Sequence, residues 1–244
     1  MKETERFTNL AGVYNAGRPS YPAAIGEIIF EGLADPSRLV VADLGAGTGF
    51  SSTLLADLGA DVRAVEPNVA MRAKAETHPN VTWVDGSAEK TKLMDASIDI
   101  VTAFQAFHWF DPDVAYPEIL RILKPGGRAA IVYYERDETD PFARGFGNLV
   151  RKYATDDTEM RRARTRERFA LFEGWRSVCQ RSVPSAQVFD HTGIFDRVNS
   201  SSYLPHSGPQ SEQLNAEVEA LFEQFAQDGK ATMALQYLVT IGDL

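Results

Sequence analysis

The run Asp43-Leu44-Gly45-Ala46-Gly47-Thr48-Gly49 closes a short apolar stretch, Leu39 to Leu44, and leads directly into Phe50, Leu54, Leu55 and Leu58, which recur at helical spacing. A strand that ends in three alternate glycines and continues as a helix leaves few folds open. Glycines lack a β-carbon, so the chain turns sharply there and a ligand can touch its backbone, while the helix behind offers unpaired N–H groups. A second short strand, Asp61 to Val65, is closed by Glu66-Pro67. Glu66 lies 21 residues beyond Gly45, where an acidic side chain can accept both hydroxyls of an adenosine ribose. A glycine-rich turn that binds nothing is the alternative for the loop alone; with Glu66, two features agree on a nucleoside.

Apolar runs and helical patterns alternate from residue 23 to residue 134, the pattern of βαβ units and a parallel sheet. Ile25, Ile28, Ile29 and Leu33 share one helical face, and Asn68 is placed to cap a helix after the second strand. Val81 to Val84 and Ile98 to Phe104 read as buried strands. Asp111-Pro112 opens a helix expected to run to Lys124, stopped by Pro125-Gly126-Gly127 before a strand from Arg128 to Tyr134. From Asp140 to about Arg181 the pattern is polar and helical, and predicts a helical cap over the sheet's edge. Ala186 to Phe189 and Thr232 to Ile241 are expected strands, with a helix from Glu212 to Asp228 between them. The predicted fold is α/β: a Rossmann-like, mostly parallel seven-stranded sheet with helices on both faces and a helical cap inserted after the fifth strand. One domain is expected over 1–244, with 1–22 as an N-terminal arm and 140–181 as the cap.

The formal charge of −9 argues against a surface that tracks nucleic-acid phosphates and favours a small-molecule or protein substrate. The N-terminus has no apolar signal core and no run approaches the length that spans a bilayer, so a cytoplasmic protein without a membrane partner is expected. Cys179 is the only cysteine, which rules out an internal disulfide and a thiolate metal cluster and leaves a packing role.

A dinucleotide-binding loop has the form G-x-G-x-x-G, but here the third glycine arrives one residue early, at Gly49, and Phe50 occupies the last position. The D-x-G-x-G-x-G form at the end of the first strand resembles motif I of the class I S-adenosylmethionine-dependent methyltransferases. The resemblance runs from about Phe7 to Leu244 and is nearest to the small-molecule branch that includes trans-aconitate-type methyltransferases. It implies S-adenosylmethionine as cofactor, with S-adenosylhomocysteine as product. Gly45, Ala46 and Gly47 would meet its methionine part, with Asp43 behind them ordering the amino group. Glu66, followed by Pro67, would hold the ribose. Gly86-Ser87-Ala88-Glu89 resembles the loop that meets the adenine, with Ser87 where many relatives carry aspartate. Gln105-Ala106-Phe107-His108-Trp109-Phe110 is similar to the branch's His-Trp segment, which puts Gln105 at the cofactor and His108 and Trp109 at the substrate. Tyr14, Arg18, Pro19, Tyr21 and Pro22 resemble the segment that closes over the cofactor; Arg18 would bind its carboxylate, and Tyr14 and Tyr21 would face the substrate. Tyr203, in Ser200 to Pro205, resembles a segment on the substrate side. Simple packing for His108, a surface arginine for Arg18 and a polar loop around Tyr203 are the plainer readings.

The sulfonium of such a cofactor is already activated, so the protein's task is to hold a nucleophile in line and exclude water, with no metal required. A carboxylate acceptor needs no base; for a hydroxyl or amine, His108 is the best-placed one. Three other functions share parts of this pattern: a nicotinamide-dependent dehydrogenase, an aminopropyl transferase, and a binding protein that does not turn over. Arg161, Arg164 and Arg168 share a helical face, and with Glu159 and Glu167 nearby they read as a salt-bridged surface rather than an anion site. The acceptor's identity and the oligomeric state are not legible.

Overall fold

A computed structural model describes residues 21–244. Its seven strands are β1 (Val40–Leu44), β2 (Asp61–Val65), β3 (Val81–Val84), β4 (Ile98–Phe104), β5 (Leu123–Arg136), β6 (Ser177–Asp190) and β7 (Lys230–Asp243). They form one sheet in the order β3-β2-β1-β4-β5-β7-β6. The first five are parallel; β7 runs antiparallel between β5 and β6. The expected Rossmann-like α/β sheet is therefore present. After β1 the chain moves outward to β2 and β3, then returns to the other side of β1 as β4. Ligands of open α/β sheets sit at the carboxyl ends of the strands where the order reverses in this way.

Alternate residues of the central strands enter opposite apolar layers, because side chains in a strand alternate by face. Ala42, Val101, Ala103, Ala129 and Ile131 join one layer, closed by Ala115, Ile119 and Ile122 of helix α4 (Pro112–Ile122). Val41, Val62, Ile100, Ala130 and Val132 join the other, closed by Ile25 and Ile29 of α1 (Ala23–Phe30) and Leu55 of α2 (Phe50–Asp57). Cys179 packs against this second layer, half-buried. Asn68 caps a single turn, α3 (Val69–Arg72), by accepting from the N–H groups of Ala70 at 2.9 Å and Met71 at 3.3 Å. Asp111 caps α4 in the same manner, with Pro112 as its first residue.

Two helices follow β5, α5 (Pro141–Tyr153) and α6 (Thr158–Ala170), and then the expected cap stops short. From Ser177 the chain is not helical but forms edge strand β6, which takes in the expected strand Ala186 to Phe189 and pairs with β7 from Ser177↔Asp243 to Asp190↔Lys230. Most of β6 is exposed, so it carries polar residues that mimic a solvated helix, and its Pro184 is tolerated at an edge. The Pro125-Gly126-Gly127 segment also differs from expectation. Helix α4 ends earlier, at Ile122, and these residues form an irregularity within β5 where the register jumps between Ile98↔Leu123 and Ile100↔Arg128. A third apolar cluster joins α5 to α7 (His191–Asn199), α8 (Pro209–Phe225) and the near ends of β6 and β7. Among the described residues no helix is long and apolar enough to cross a membrane.

Candidate active site

A cavity of about 230 Å³ opens at the carboxyl ends of β1 to β4. Gly45 and Gly47 line it from the first loop, Glu66, Pro67, Asn68 and Met71 from the second, Ser87, Ala88 and Glu89 from the third, and Gln105, Ala106, Trp109 and Phe110 from the fourth. Residues scattered over more than sixty positions thus meet because four parallel strands end at one rim.

The first loop needs its glycines. Gly45 and Gly47 have φ of +70° and +60°, in the left-handed region. A Cβ on Gly45 would also stand 2.7 Å from the Cβ of Ala106. Gly45→Val is therefore expected to close the cleft and abolish nucleoside binding, while lowering the melting temperature by several degrees. Titration and thermal unfolding of the same sample check both effects.

Behind the loop, Asp43 is fully buried and does not line the cavity. Its carboxylate accepts from Ser51 Oγ at 2.6 Å, Ser52 Oγ at 2.7 Å and Thr102 Oγ1 at 3.0 Å, tying β1, α2 and β4 together at the rim. Burial pushes its carboxyl above the usual range despite these three hydroxyls. Glu66 accepts from the backbone N–H of Gly47 at 3.0 Å and of Asn68 at 2.8 Å, so one carboxylate locks the first loop to the second. Burial raises its carboxyl too, outweighing the two N–H donors and the Arg72 guanidinium.

On the fourth loop, Gln105 has φ of +54°, a strained setting for a residue with a side chain. Its Nε2 is buried without a hydrogen-bond partner, and its Oε1 accepts from Arg162 of α6. Trp109 lies under the Arg161 guanidinium, 5.4 Å from its ring. His108 does not line this cavity but packs at 4.6 Å on Trp109, which does; it is 8% exposed, its backbone N–H donates to Tyr133 Oη at 3.0 Å, and its Nδ1 lies 3.3 Å from the same oxygen.

Several expected site residues lie elsewhere. Tyr203 is buried in the third apolar cluster and touches neither the cleft nor its rim. Its serine-rich segment reads as polar loop, but the hydroxyls of Ser200 and Ser201 are spent on the carbonyl of Arg197 at the end of α7, which lets Tyr203 and Leu204 fold inward. Tyr21 does not line the cleft but packs edge-on, at a centroid distance of 4.9 Å, against Phe104, which does, on the α1 face of the sheet. Tyr14 and Arg18 lie outside the described residues.

The α6 arginines are divided. Arg161 and Arg168 form ion pairs with Asp157 and Asp113, whereas Glu159 turns to Arg136 of β5. Arg162 and Arg166, which the sequence reading passed over, point inward to Gln105 and Glu135. The signal was present: Thr158, Arg162, Arg166 and Phe169 fall on one helical face, and Thr158 and Phe169 are buried.

Residues 42–131 match the methyltransferase domain family. An uncharacterized methyltransferase of Mycobacterium tuberculosis is 36% identical over 205 residues, covering 84% of this chain and 79% of that relative. The chain belongs to the methyltransferase family. It is an enzyme, and S-adenosylmethionine is its cofactor. The ubiquinone/menaquinone biosynthesis C-methyltransferase of Rubrivivax gelatinosus is 43% identical over 91 residues, 36% of each chain. A solved structure assigned as a type II methyltransferase from Anaeromyxobacter dehalogenans shares the fold, with a TM-score of 0.68 at 24% identity over 93% of this chain and 97% of that one.

The methyltransferase's cleft fits this cofactor. Two left-handed glycines bring backbone against the ligand, a carboxylate stands at the end of β2, Met71, Ala88 and Phe110 offer apolar walls, and Gln105 Nε2 is a buried donor in want of an acceptor.

Proposed function

We propose that this methyltransferase methylates a small molecule. The observation that carries the reading is the enclosure of the cleft's far end. Trp109 and Phe110 wall it, Arg161 stacks on Trp109, and Arg162 crosses from α6 to Gln105, which makes a half-open pocket of small-molecule size rather than a long track for a polymer. The quinone-pathway relative supports a small acceptor, and so does the net charge of −9.

In this reading Glu66 accepts the ribose hydroxyls, the backbone of Gly45 to Gly47 meets the amino-acid end, and Ser87, Ala88 and Glu89 border the adenine. Arg18 of the N-terminal arm binds the carboxylate. Bound there, S-adenosylmethionine supplies a methyl group activated by its sulfonium. The protein's own contribution is to orient the acceptor beside Trp109 and Phe110 and to exclude water. Where the acceptor must lose a proton, His108 takes it, oriented by the Tyr133 hydroxyl.

The test is incubation with methyl-labelled S-adenosylmethionine and a cell extract split by ultrafiltration. Label is expected in the filtrate of small molecules, and label confined to protein or nucleic acid would refute the reading. With an acceptor in hand, His108→Ala is expected to lower turnover by about a hundredfold, with S-adenosylhomocysteine affinity unchanged. Equal turnover of variant and wild type would remove His108 from the chemistry.

A further inference from the structure

Gln105 stands first after β4, in a backbone conformation that a side chain disfavours, with φ of +54°. Two hydrogen bonds keep it there. Its N–H donates to the carbonyl of Val132 at 2.8 Å, which continues the pairing of β4 with β5, and its Oε1 accepts from the Arg162 guanidinium. A glycine would meet the same backbone demand without strain, so what glutamine adds at this position is its amide.

The Arg162 bond also decides which way that amide faces. A guanidinium only donates, so the atom turned to it is the oxygen, and the nitrogen takes the other end. That nitrogen is buried and among the described residues has no hydrogen-bond partner, although the residue lines the cleft and is only 7% exposed. A buried N–H without an acceptor is destabilising, and a ligand that brings an acceptor removes that loss. Donation to Oε1 polarises the amide, which makes its N–H a stronger donor.

The cofactor's own groups have other partners. In the reading above its ribose goes to Glu66, its amino-acid end to the backbone of Gly45 to Gly47 and to Arg18, and its adenine to the third loop. Gln105 instead shares the fourth loop with Trp109 and Phe110, the wall beside which the acceptor is placed. A hydrogen bond draws electron density from the atom that accepts it, so the atom held by Gln105 is a poor nucleophile and a good handle.

We infer that Gln105 is a binding residue for the methyl acceptor: its Nε2 donates to an oxygen that shares electrons with the neighbouring atom to be methylated, and so sets which atom meets the methyl. The second oxygen of a carboxylate and the carbon beside an enolate oxygen both meet this condition. The electron pair of that neighbouring atom forms the bond to the methyl, and the pair of the broken carbon–sulfur bond stays on sulfur. The inference rests on the small-molecule reading and deepens it.

The test compares wild type with Gln105→Gly, which suits the left-handed backbone but has no amide, and with Gln105→Glu, which keeps the length but sets a carboxylate against the acceptor oxygen. Each is incubated with isotope-labelled S-adenosylmethionine and the small-molecule filtrate of a cell extract, and each is titrated calorimetrically with S-adenosylhomocysteine. The rate of label transfer is expected to fall by about tenfold or more in both variants while S-adenosylhomocysteine affinity stays within about twofold of wild type. A cooperative thermal transition shows that each variant is folded. Magnetic resonance of the labelled product is expected to place the methyl on an ester oxygen, released as methanol in mild alkali, for a carboxylate acceptor, or on carbon for an enolate. A methyl on nitrogen, sulfur or an ether oxygen would overturn the inference, as would Gln105→Gly working at the wild-type rate. Weakened S-adenosylhomocysteine binding in both variants would assign Gln105 to the cofactor and overturn it too. A filtrate that takes no label from the wild-type enzyme sinks the small-molecule reading itself, and the inference falls with it.

Discussion

Glu66→Ala is expected to weaken S-adenosylhomocysteine binding by about a hundredfold or more, because two hydrogen bonds to a charged acceptor are lost together. The substitution also releases the N–H groups of Gly47 and Asn68, which this carboxylate holds in place before any ligand arrives. The loop would lose its preset shape as well as its acceptor. Glu66→Gln keeps the size and one acceptor oxygen, and should fall between. The wild-type affinity should also depend on pH in a stated direction. Burial raises the Glu66 carboxyl above its usual value of 4.5, so the acceptor form is complete well above that value and is lost as pH falls through it. Titrations between about pH 5 and 8 should therefore show affinity declining toward the acid end in the wild type and staying flat in Glu66→Gln. A wild-type affinity independent of pH, or Glu66→Ala binding as tightly as wild type, would remove Glu66 from the site.

Asp43→Ala should carry the largest stability cost of any substitution at the rim. Three buried hydroxyls, on Ser51, Ser52 and Thr102, would lose their common acceptor in a place water does not reach. At about 1–3 kcal/mol for each unsatisfied group, the loss is about 3 kcal/mol or more. Asp43→Asn should cost less. Its amide oxygen still accepts from a hydroxyl, and the neutral side chain avoids the price of burying charge. The sign follows from the raised carboxyl: the folded state holds the proton more tightly than the unfolded state, so the stability this proton brings is present at low pH and lost as pH rises through the folded value. Urea unfolding at pH 7 separates the two variants. Equal midpoints for wild type and Asp43→Ala would mean that the three hydroxyls do not depend on this carboxylate.

What was legible in the sequence is local. The glycine loop, Glu66, the Asn68 and Asp111 caps and the positions of the first five strands each declare themselves within a few residues, since turn geometry and capping are set by near neighbours. The features that were not legible depend on distant partners. Of edge strand β6 only Ala186 to Phe189 was legible; its first half, read as the end of the cap, is a strand because β7 pairs with it along its whole length, and its exposed residues gave a polar pattern there. Tyr203 is buried because two serines cap α7 ahead of it. The arginines of α6 look alike in sequence; only their rotation about the helix separates Arg161 and Arg168, at the surface, from Arg162 and Arg166, which turn toward β4 and β5. Asn68 was legible as a cap, but its place on the cleft wall follows from β1 and β2 ending at the same level.

The most direct measurement is a crystal structure of the complex with S-adenosylhomocysteine. The expected result is a ribose on Glu66, an amino-acid end against Gly45 to Gly47, an adenine beside Ser87 and Ala88, and a sulfur turned toward Trp109 and Phe110. A ligand seated away from Glu66, or with its sulfur facing solvent rather than the Trp109 wall, would contradict the assignment of this cleft as the methyl-transfer site.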